Sequence, residues 1–259
     1  MAGRSATKQA ERRSRILEEI SSFPGILIRD LARKLAVSRE TIRKDFDVLC
    51  AEGKLQRRYG GGAIVSTEYL PSFDARQGKH VPERTAIARK ASELLRDHQV
   101  IMLSPGTSAL LFASELAKTN KHLTFITNGI REAMSLACNE NLQVVLAPGD
   151  IDRFHGYSWN HETARFISRY NADLAVIFGD GISENGVTDA DSRTTLMVRA
   201  MLKQSKNNML LIDHSRFSHH GMHQVCSLSE LDVVISDKKP DQEFEGYFSQ
   251  NKIDFCLAE

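Results

Sequence analysis

The stretch from Ile28 to Ala51, IRDLARKLAVSRETIRKDFDVLCA, leaves a chain few ways to fold. Leu31, Ala32 and Leu35 fall at i, i+1 and i+4, one face of a short helix, and Ile42, Phe46 and Leu49 recur at i, i+4 and i+7. Between them lies a tight turn, Leu35-Ala36-Val37-Ser38. Ser38 stands where an N-cap is wanted, with Thr41 three residues on. The side of the second helix that cannot be buried carries Arg39, Thr41, Arg43 and Lys44. Two helices across a tight turn, the second with a basic and hydroxyl-bearing outer face, form the pattern of a helix-turn-helix.

The flanking sequence extends this unit. Upstream, Ile16, Leu17 and Ile20 mark a helix over Arg12 to Phe23 that Phe23-Pro24-Gly25 breaks. Downstream, Leu55 to Tyr59 and Ala63 to Val65 flank Gly60-Gly61-Gly62, which predicts a hairpin with Arg57, Arg58 and Tyr59 on it. Three helices and a basic hairpin make a winged helix. Charge supports the reading: residues 1–65 hold 14 Lys+Arg against 8 Asp+Glu, a net of +6, and the remainder holds 20 against 25, a net of −5. The overall +1 therefore hides a basic module joined to a slightly acidic one.

By residue type, Ser38, Arg39, Thr41 and Arg43 are expected nearest base edges, since arginine offers guanine a bidentate fork and hydroxyls serve either base. Lys44, Arg57 and Arg58 suit phosphate. Asp45 is expected to orient a neighbouring arginine rather than touch DNA.

Residues 66–82, with two prolines and no period, read as a linker, giving domains at 1–65 and 83–259. Beyond it, apolar strand runs alternate with helical patterns. Strands are expected at 100–103, 123–126, 142–146, 174–178, 209–212, 233–236 and 253–257. This is the pattern of a mainly parallel α/β sheet covered on both faces. Its ligand belongs at the carboxyl edge. The loops there are Ser104-Pro105-Gly106-Thr107-Ser108, Thr127-Asn128-Gly129, Ala147-Pro148-Gly149-Asp150, Gly179-Asp180-Gly181 and Asp213-His214-Ser215-Arg216-Phe217. Short polar turns that open helices leave backbone N–H groups free, which suits a small oxygen-rich, phosphorylated ligand.

Both halves carry a family resemblance. VSRETIRKDFDVLCAEGKLQRRYGGGAI resembles the signature of the DeoR family of bacterial transcription regulators, and SPGTSALLFASEL, LTFITNG, FGDGISENGVTDAD, RAML and LIDHSRF resemble its effector domain. LIDHSRF, with RFISRY upstream, looks closest to the glycerol-3-phosphate repressor subgroup. The resemblance implies a regulator, usually a repressor, that binds operator DNA as a homo-oligomer. It implies a sensing domain similar in fold to sugar-phosphate isomerases, with a phosphorylated sugar or polyol as effector. It places Gly106, Thr107, Ser108, Thr127, Asn128, Asp180, Gly181, Asp213 and Arg216 around the effector. Three positions depart from the family pattern: Ser104 replaces an acidic residue, Pro148 a glycine and Val198 a lysine.

Other readings are weaker. The rival function is a sugar-phosphate isomerase with an appended DNA-binding module, but Ser104 and Val198 remove two natural acid–base candidates. His214, His219, His220 and His223 lack metal-ligand spacing and read as a solvated hairpin. Asp189 and Asp191 read as caps of the helix near Ser192, and Tyr157 and Trp159 read equally well as a ligand cover or a packed surface loop. The four cysteines are scattered as reduced thiols are. No catalytic residue, metal or cofactor is expected. No apolar run approaches a membrane span or follows the basic N-terminus as a signal would, so the expected compartment is the cytoplasm.

Overall fold

The computed structural model describes residues 2–22, 26–57, 63–65, 78, 80–153 and 155–259. The N-terminal unit is built from α1 (Ala2–Ser22), α2 (Ile28–Lys34), α3 (Arg39–Ala51) and a hairpin of β1 (Leu55–Arg57) with β2 (Ala63–Val65). α1 begins ten residues before the expected start; Ala2 to Glu11 contains no proline, and its one glycine, Gly3, lies in the first turn. The apolar stripes meet as the periodicity requires: Ile16 and Ile20 of α1, Leu31 and Ala32 of α2, and Ile42, Phe46 and Leu49 of α3 share one core with Ile26 and Leu55. The turn between α2 and α3 closes through Ala36 at φ 53°, a left-handed conformation reached without glycine. Gly60, Gly61, Gly62, Arg58, Tyr59 and most of the stretch 66–82 lie outside the described residues.

The C-terminal unit opens with α4 (Val81–Leu94). It continues through β3 (Val100–Leu103), α5 (Thr107–Leu116), β4 (Leu123–Thr127), α6 (Ile130–Leu136) and β5 (Leu142–Leu146). A small hairpin of β6 (Asp150–Asp152) and β7 (Tyr157–Trp159) precedes α7 (His161–Ile167) and β8 (Ala172–Ile177). Next come β9 (Gly181–Ser183), β10 (Gly186–Asp189), α8 (Ser192–Lys203), β11 (Ser205–Leu211), β12 (His223–Cys226), β13 (Val233–Ser236), α9 (Gln242–Asn251) and β14 (Asp254–Leu257).

Seven of these strands form one parallel sheet in the order β14-β13-β11-β8-β3-β4-β5, and they are the seven read from the sequence. Its two faces are separated by the strand period of two. Ile101 and Leu103 of β3, Val176 of β8 and Leu211 of β11 meet Ile87, Phe112 and Leu136 of α4, α5 and α6. Met102, Ala175, Ile177 and Leu210 meet Ile167 of α7, Met197 and Met201 of α8, and Phe244 and Phe248 of α9. β9, β10 and β12 make a separate three-stranded antiparallel sheet.

The strand order has a consequence for function. The chain leaves β3 outward through β4 and β5, then returns to the other side of β3 with β8. The reversal between β3 and β8 is the topological switch point, where helices depart in opposite directions and a crevice opens at the carboxyl edge.

Candidate DNA interface and effector site

On α3, Ile42, Asp45, Phe46 and Leu49 face the core, leaving Arg39, Arg43, Lys44 and Asp47 exposed on the opposite side. Ser38 is the N-cap: its Oγ accepts the Thr41 N–H at 3.1 Å and lies 2.9 Å from Thr41 Oγ1. The two hydroxyls named as DNA contacts thus fix the first turn of the helix while remaining at the surface. Arg43 is 60% exposed and its partner Glu40, 3.5 Å away, is equally solvated, so that pair holds it weakly. Asp45 is buried and binds two guanidinium groups of α1, Arg12 at 2.5 Å and Arg13 at 3.0 Å. This double ion pair ties α3 to α1: the arginines Asp45 holds are those of the first helix. Arg57 lies in β1, where the backbone alone is described, and Arg58 is outside the described residues.

In the C-terminal unit, the loops at the switch point carry a connected polar system. Gly106, at φ 150°, a conformation that suits glycine, caps α5, and Thr107 and Ser108 form its first turn. Ser108 Oγ accepts from Arg84 Nε at 2.9 Å. Arg84 is buried on α4, and burial followed by the nearby Arg216 pulls its pKa down while Asp213 opposes the shift. Arg84, Ser108, Asp213, Ile87, Ala88, Phe178, Leu211 and Ile212 line one pocket. Asp213 accepts the Ser215 N–H at 3.0 Å, and Arg216 lies 3.9 Å from its other oxygen. Arg216 also donates to Asp180 Oδ1 at 3.1 Å, and Asp180 Oδ2 accepts the Ala190 N–H. Gly181 begins β9, packed so closely that a Cβ there would lie 2.2 Å from the His219 carbonyl oxygen.

Arg216 thus joins Asp180 and Asp213, and Arg84, hydrogen-bonded to Ser108 and close enough to feel the charges of Asp213 and Arg216, brings Ser108 to the same group. Arg84 was absent from the sequence reading. The signal was present: it shares a helix face with Ile87, Ala88 and Ala91, a charge on an otherwise apolar stripe. Thr127 and Asn128 sit at the end of β4 with wholly buried side chains. Thr127 Oγ1 accepts the Gly129 N–H at 3.0 Å, and Asn128 Nδ2 donates to the Ser158 carbonyl at 2.8 Å. Asn128 Oδ1 is buried and accepts no hydrogen bond from the described residues. Glu132, also absent from the sequence reading, is buried in the first turn of α6 and accepts the Gly106 N–H at 2.9 Å. Burial pushes its pKa up to about 7, the Gly106 hydrogen bond and Arg131 opposing.

Asp191 caps α8 by accepting the Arg193 N–H at 2.9 Å, and Asp189 supports it by accepting the Asp191 N–H at 2.7 Å. Tyr157 is buried, its hydroxyl donating to Asp191 at 2.8 Å, and the Arg193 guanidinium lies 5.0 Å from the Trp159 ring centre, so the 150–159 hairpin packs on the start of α8. The histidine-rich stretch is not the solvated hairpin expected: His214, His219, His220 and His223 are all half-buried. The cause is visible at His214, whose Nδ1 pairs with Asp237 at 2.6 Å. Val198 lies in the core, and Arg199 donates to the Val225 and Gln224 carbonyls, tying α8 to β12. Ser104 is buried at the end of β3.

A helix-turn-helix with an exposed basic face, joined to an α/β unit with a polar switch-point site, defines a ligand-responsive DNA-binding regulator. A DeoR-like helix-turn-helix domain is matched by residues 12–68 and a DeoR C terminal sensor domain by residues 79–238, so the chain belongs to the DeoR family of transcriptional regulators. It is similar to the HTH-type transcriptional repressor GlcR of Bacillus subtilis (strain 168), 30% identical over 97% of both chains. It is also similar to the glycerol-3-phosphate regulon repressor of Escherichia coli (strain K12), 27% identical over 90% of this chain and 92% of that one. Among solved structures, ribose 5-phosphate isomerase A from Methanocaldococcus jannaschii aligns with 52% of this chain and 53% of its own at 18% identity, with a TM-score of 0.38. The family and the relatives are regulators, not enzymes, and the isomerase reading falls with that. No helix among the described residues is long and apolar enough to cross a membrane.

Proposed function

We propose that the protein is a cytoplasmic repressor of a sugar or polyol catabolic operon, released from its operator by a phosphorylated sugar or polyol. Residues 1–65 bind DNA, 66–82 link, and 83–259 sense the effector. Ser38, Arg39, Thr41 and Arg43 read bases while Lys44, Arg57 and Arg58 hold phosphates, and a homo-oligomer engages repeated half-sites. The observation that carries the sensing half is the buried Arg84 guanidinium, hydrogen-bonded to Ser108 in the first turn of α5 at the switch point. A cation beside a helix N-terminus, with Asp213 and Arg216 close by, offers an anion its countercharge and a polyol its hydrogen-bond partners. The similarity to a glycerol-3-phosphate regulon repressor supports an effector of this class.

The test is a thermal-shift screen of the full chain against sugar and polyol phosphates and their unphosphorylated parents. Phosphorylated compounds alone are expected to raise Tm, and Ser108→Ala should weaken the response. Equal responses to an unphosphorylated parent, or none to any compound, would contradict the assignment.

A further inference from the structure

Glu132 is a buried carboxyl group in the first turn of α6, facing the loop that precedes α5. α6 uses Ala133 and Leu136 for packing, and a buried acid beside them carries a desolvation cost. The surroundings are nonetheless shaped to hold it. A Cβ at Gly129 would lie 2.2 Å from Glu132 Oε2 and 3.1 Å from the Pro105 side chain, so only glycine leaves the room. Through that gap Glu132 Oε1 reaches from the helix after β4 to the Gly106 N–H, 2.9 Å away in the loop after β3. The Gly106 amide stands immediately before α5, among the N–H groups that an anion at that helix N-terminus would seek.

We propose that Glu132 is a specificity-determining residue of the effector site: its carboxyl group holds the Gly106 amide that an anionic effector would take, and so sets how much negative charge the site accepts. This rests on the reading of the site as one for a phosphorylated ligand. As a carboxylate, Glu132 both occupies the amide and repels an arriving anion. As a neutral acid it holds the amide less strongly and repels nothing. Its pKa, pushed up by burial to about 7, lets one proton make that difference near neutral pH. The anion is therefore taken up together with a proton.

The other ionisable groups on the elements packed against Glu132 are few. On α6 itself the neighbour is Arg131, which favours the carboxylate. α5 contributes only Glu115, in its last turn and paired with Lys118 at 3.2 Å. β4, β5 and the Ser104–Gly106 loop contribute no ionisable side chain, and the hairpin turn packed on the start of α6 contributes Asp152, paired with His155 at 3.0 Å and with Arg193 at 2.7 Å, Arg153, and Tyr157, whose hydroxyl is bound to Asp191.

Sulfate is the probe, because it stays doubly charged across the pH range while a phosphate ester does not. Its binding to the full chain, measured calorimetrically from pH 6 to pH 8.5, is expected to weaken at least about tenfold as Glu132 ionises. In Glu132→Gln, which keeps the shape and an acceptor for Gly106, the affinity is expected to stay flat within about twofold and to exceed the wild-type value at pH 8.5. By reciprocity, sulfate should raise the pKa of the wild-type Glu132 carboxyl, read from its side-chain ¹³C resonance, a measurement that does not depend on the variant folding. A flat wild-type profile, an unchanged slope in Glu132→Gln, or a Glu132 pKa indifferent to sulfate overturns the inference and leaves the anion site standing. Failure of both proteins to bind sulfate at any pH overturns it together with the phosphorylated-ligand reading.

Discussion

Arg43 and Glu132 illustrate opposite uses of a charge. Arg43 stands on the open face of α3 with 60% of its side chain in water and a solvated partner 3.5 Å away. Its removal touches no packing, so Arg43→Ala should leave stability within about 0.5 kcal/mol of wild type. Operator affinity should fall by about 1–3 kcal/mol if the guanidinium reads a base. Fluorescence anisotropy on an operator selected from random duplex DNA, beside a denaturant melt, separates the two effects. A loss of stability with unchanged affinity would remove Arg43 from the interface. Glu132 affects the fold instead. Its folded pKa, about 7, is raised above the 4.5 of the free side chain, so the native state binds the proton more tightly than the unfolded chain does. Its contribution is fully present below pH 4.5 and is lost as pH rises through 7, a change of order 3 kcal/mol. Glu132→Gln should accordingly melt less steeply with pH between 5 and 8 than wild type. Parallel Tm–pH curves for the two proteins would contradict this.

At the scale of elements, sequence and structure agree where a segment's pattern answers to its own surroundings. Ile42, Phe46 and Leu49 predict the buried face of α3 because helix period and core coincide there. The central strands of the large sheet are legible because both their faces are covered, leaving apolar runs, and the half-exposed edge strand β5 still keeps Leu142, Val144 and Val145. β6, β7 and β9 were not legible: three residues hold no period, and these strands exist because the chain folds back on loops already positioned by the sheet. The site divides the same way. The loops at the carboxyl edge were readable, as the places where strand patterns give way to glycine and hydroxyl residues. Arg84 left a trace, a charge on an apolar helix stripe, but its partner did not, and Glu132 left none: what marks them is burial beside a loop more than twenty residues away in sequence. The 150–159 hairpin offers a test of such long-range ties. Tyr157→Phe removes the hydroxyl bond to Asp191 while Arg193 continues to hold that carboxylate. The expected cost is about 1 kcal/mol. It should be confined to faster amide exchange in residues 150–159, and exchange quickened throughout the α/β unit would show a wider structural role for the bond.

For the whole molecule, the division of charge matches the division of labour: a basic helix-turn-helix unit presents α3, and an α/β unit gathers Arg84, Ser108, Asp180, Asp213 and Arg216 at its switch point. If the two are the ends of one switch, effector and operator must compete thermodynamically, because a ligand shifts a conformational equilibrium only by its unequal affinity for the two states. The coupling is reciprocal and for regulators of this kind amounts to about 1–3 kcal/mol, or roughly 5–150-fold. The decisive measurement is operator affinity of the intact chain with and without a saturating phosphorylated sugar or polyol identified by the thermal screen. At least a fivefold loss of operator affinity, matched by an equal loss of effector affinity in the presence of operator, is the predicted result. An operator affinity unchanged by a ligand that demonstrably binds the α/β unit would contradict it.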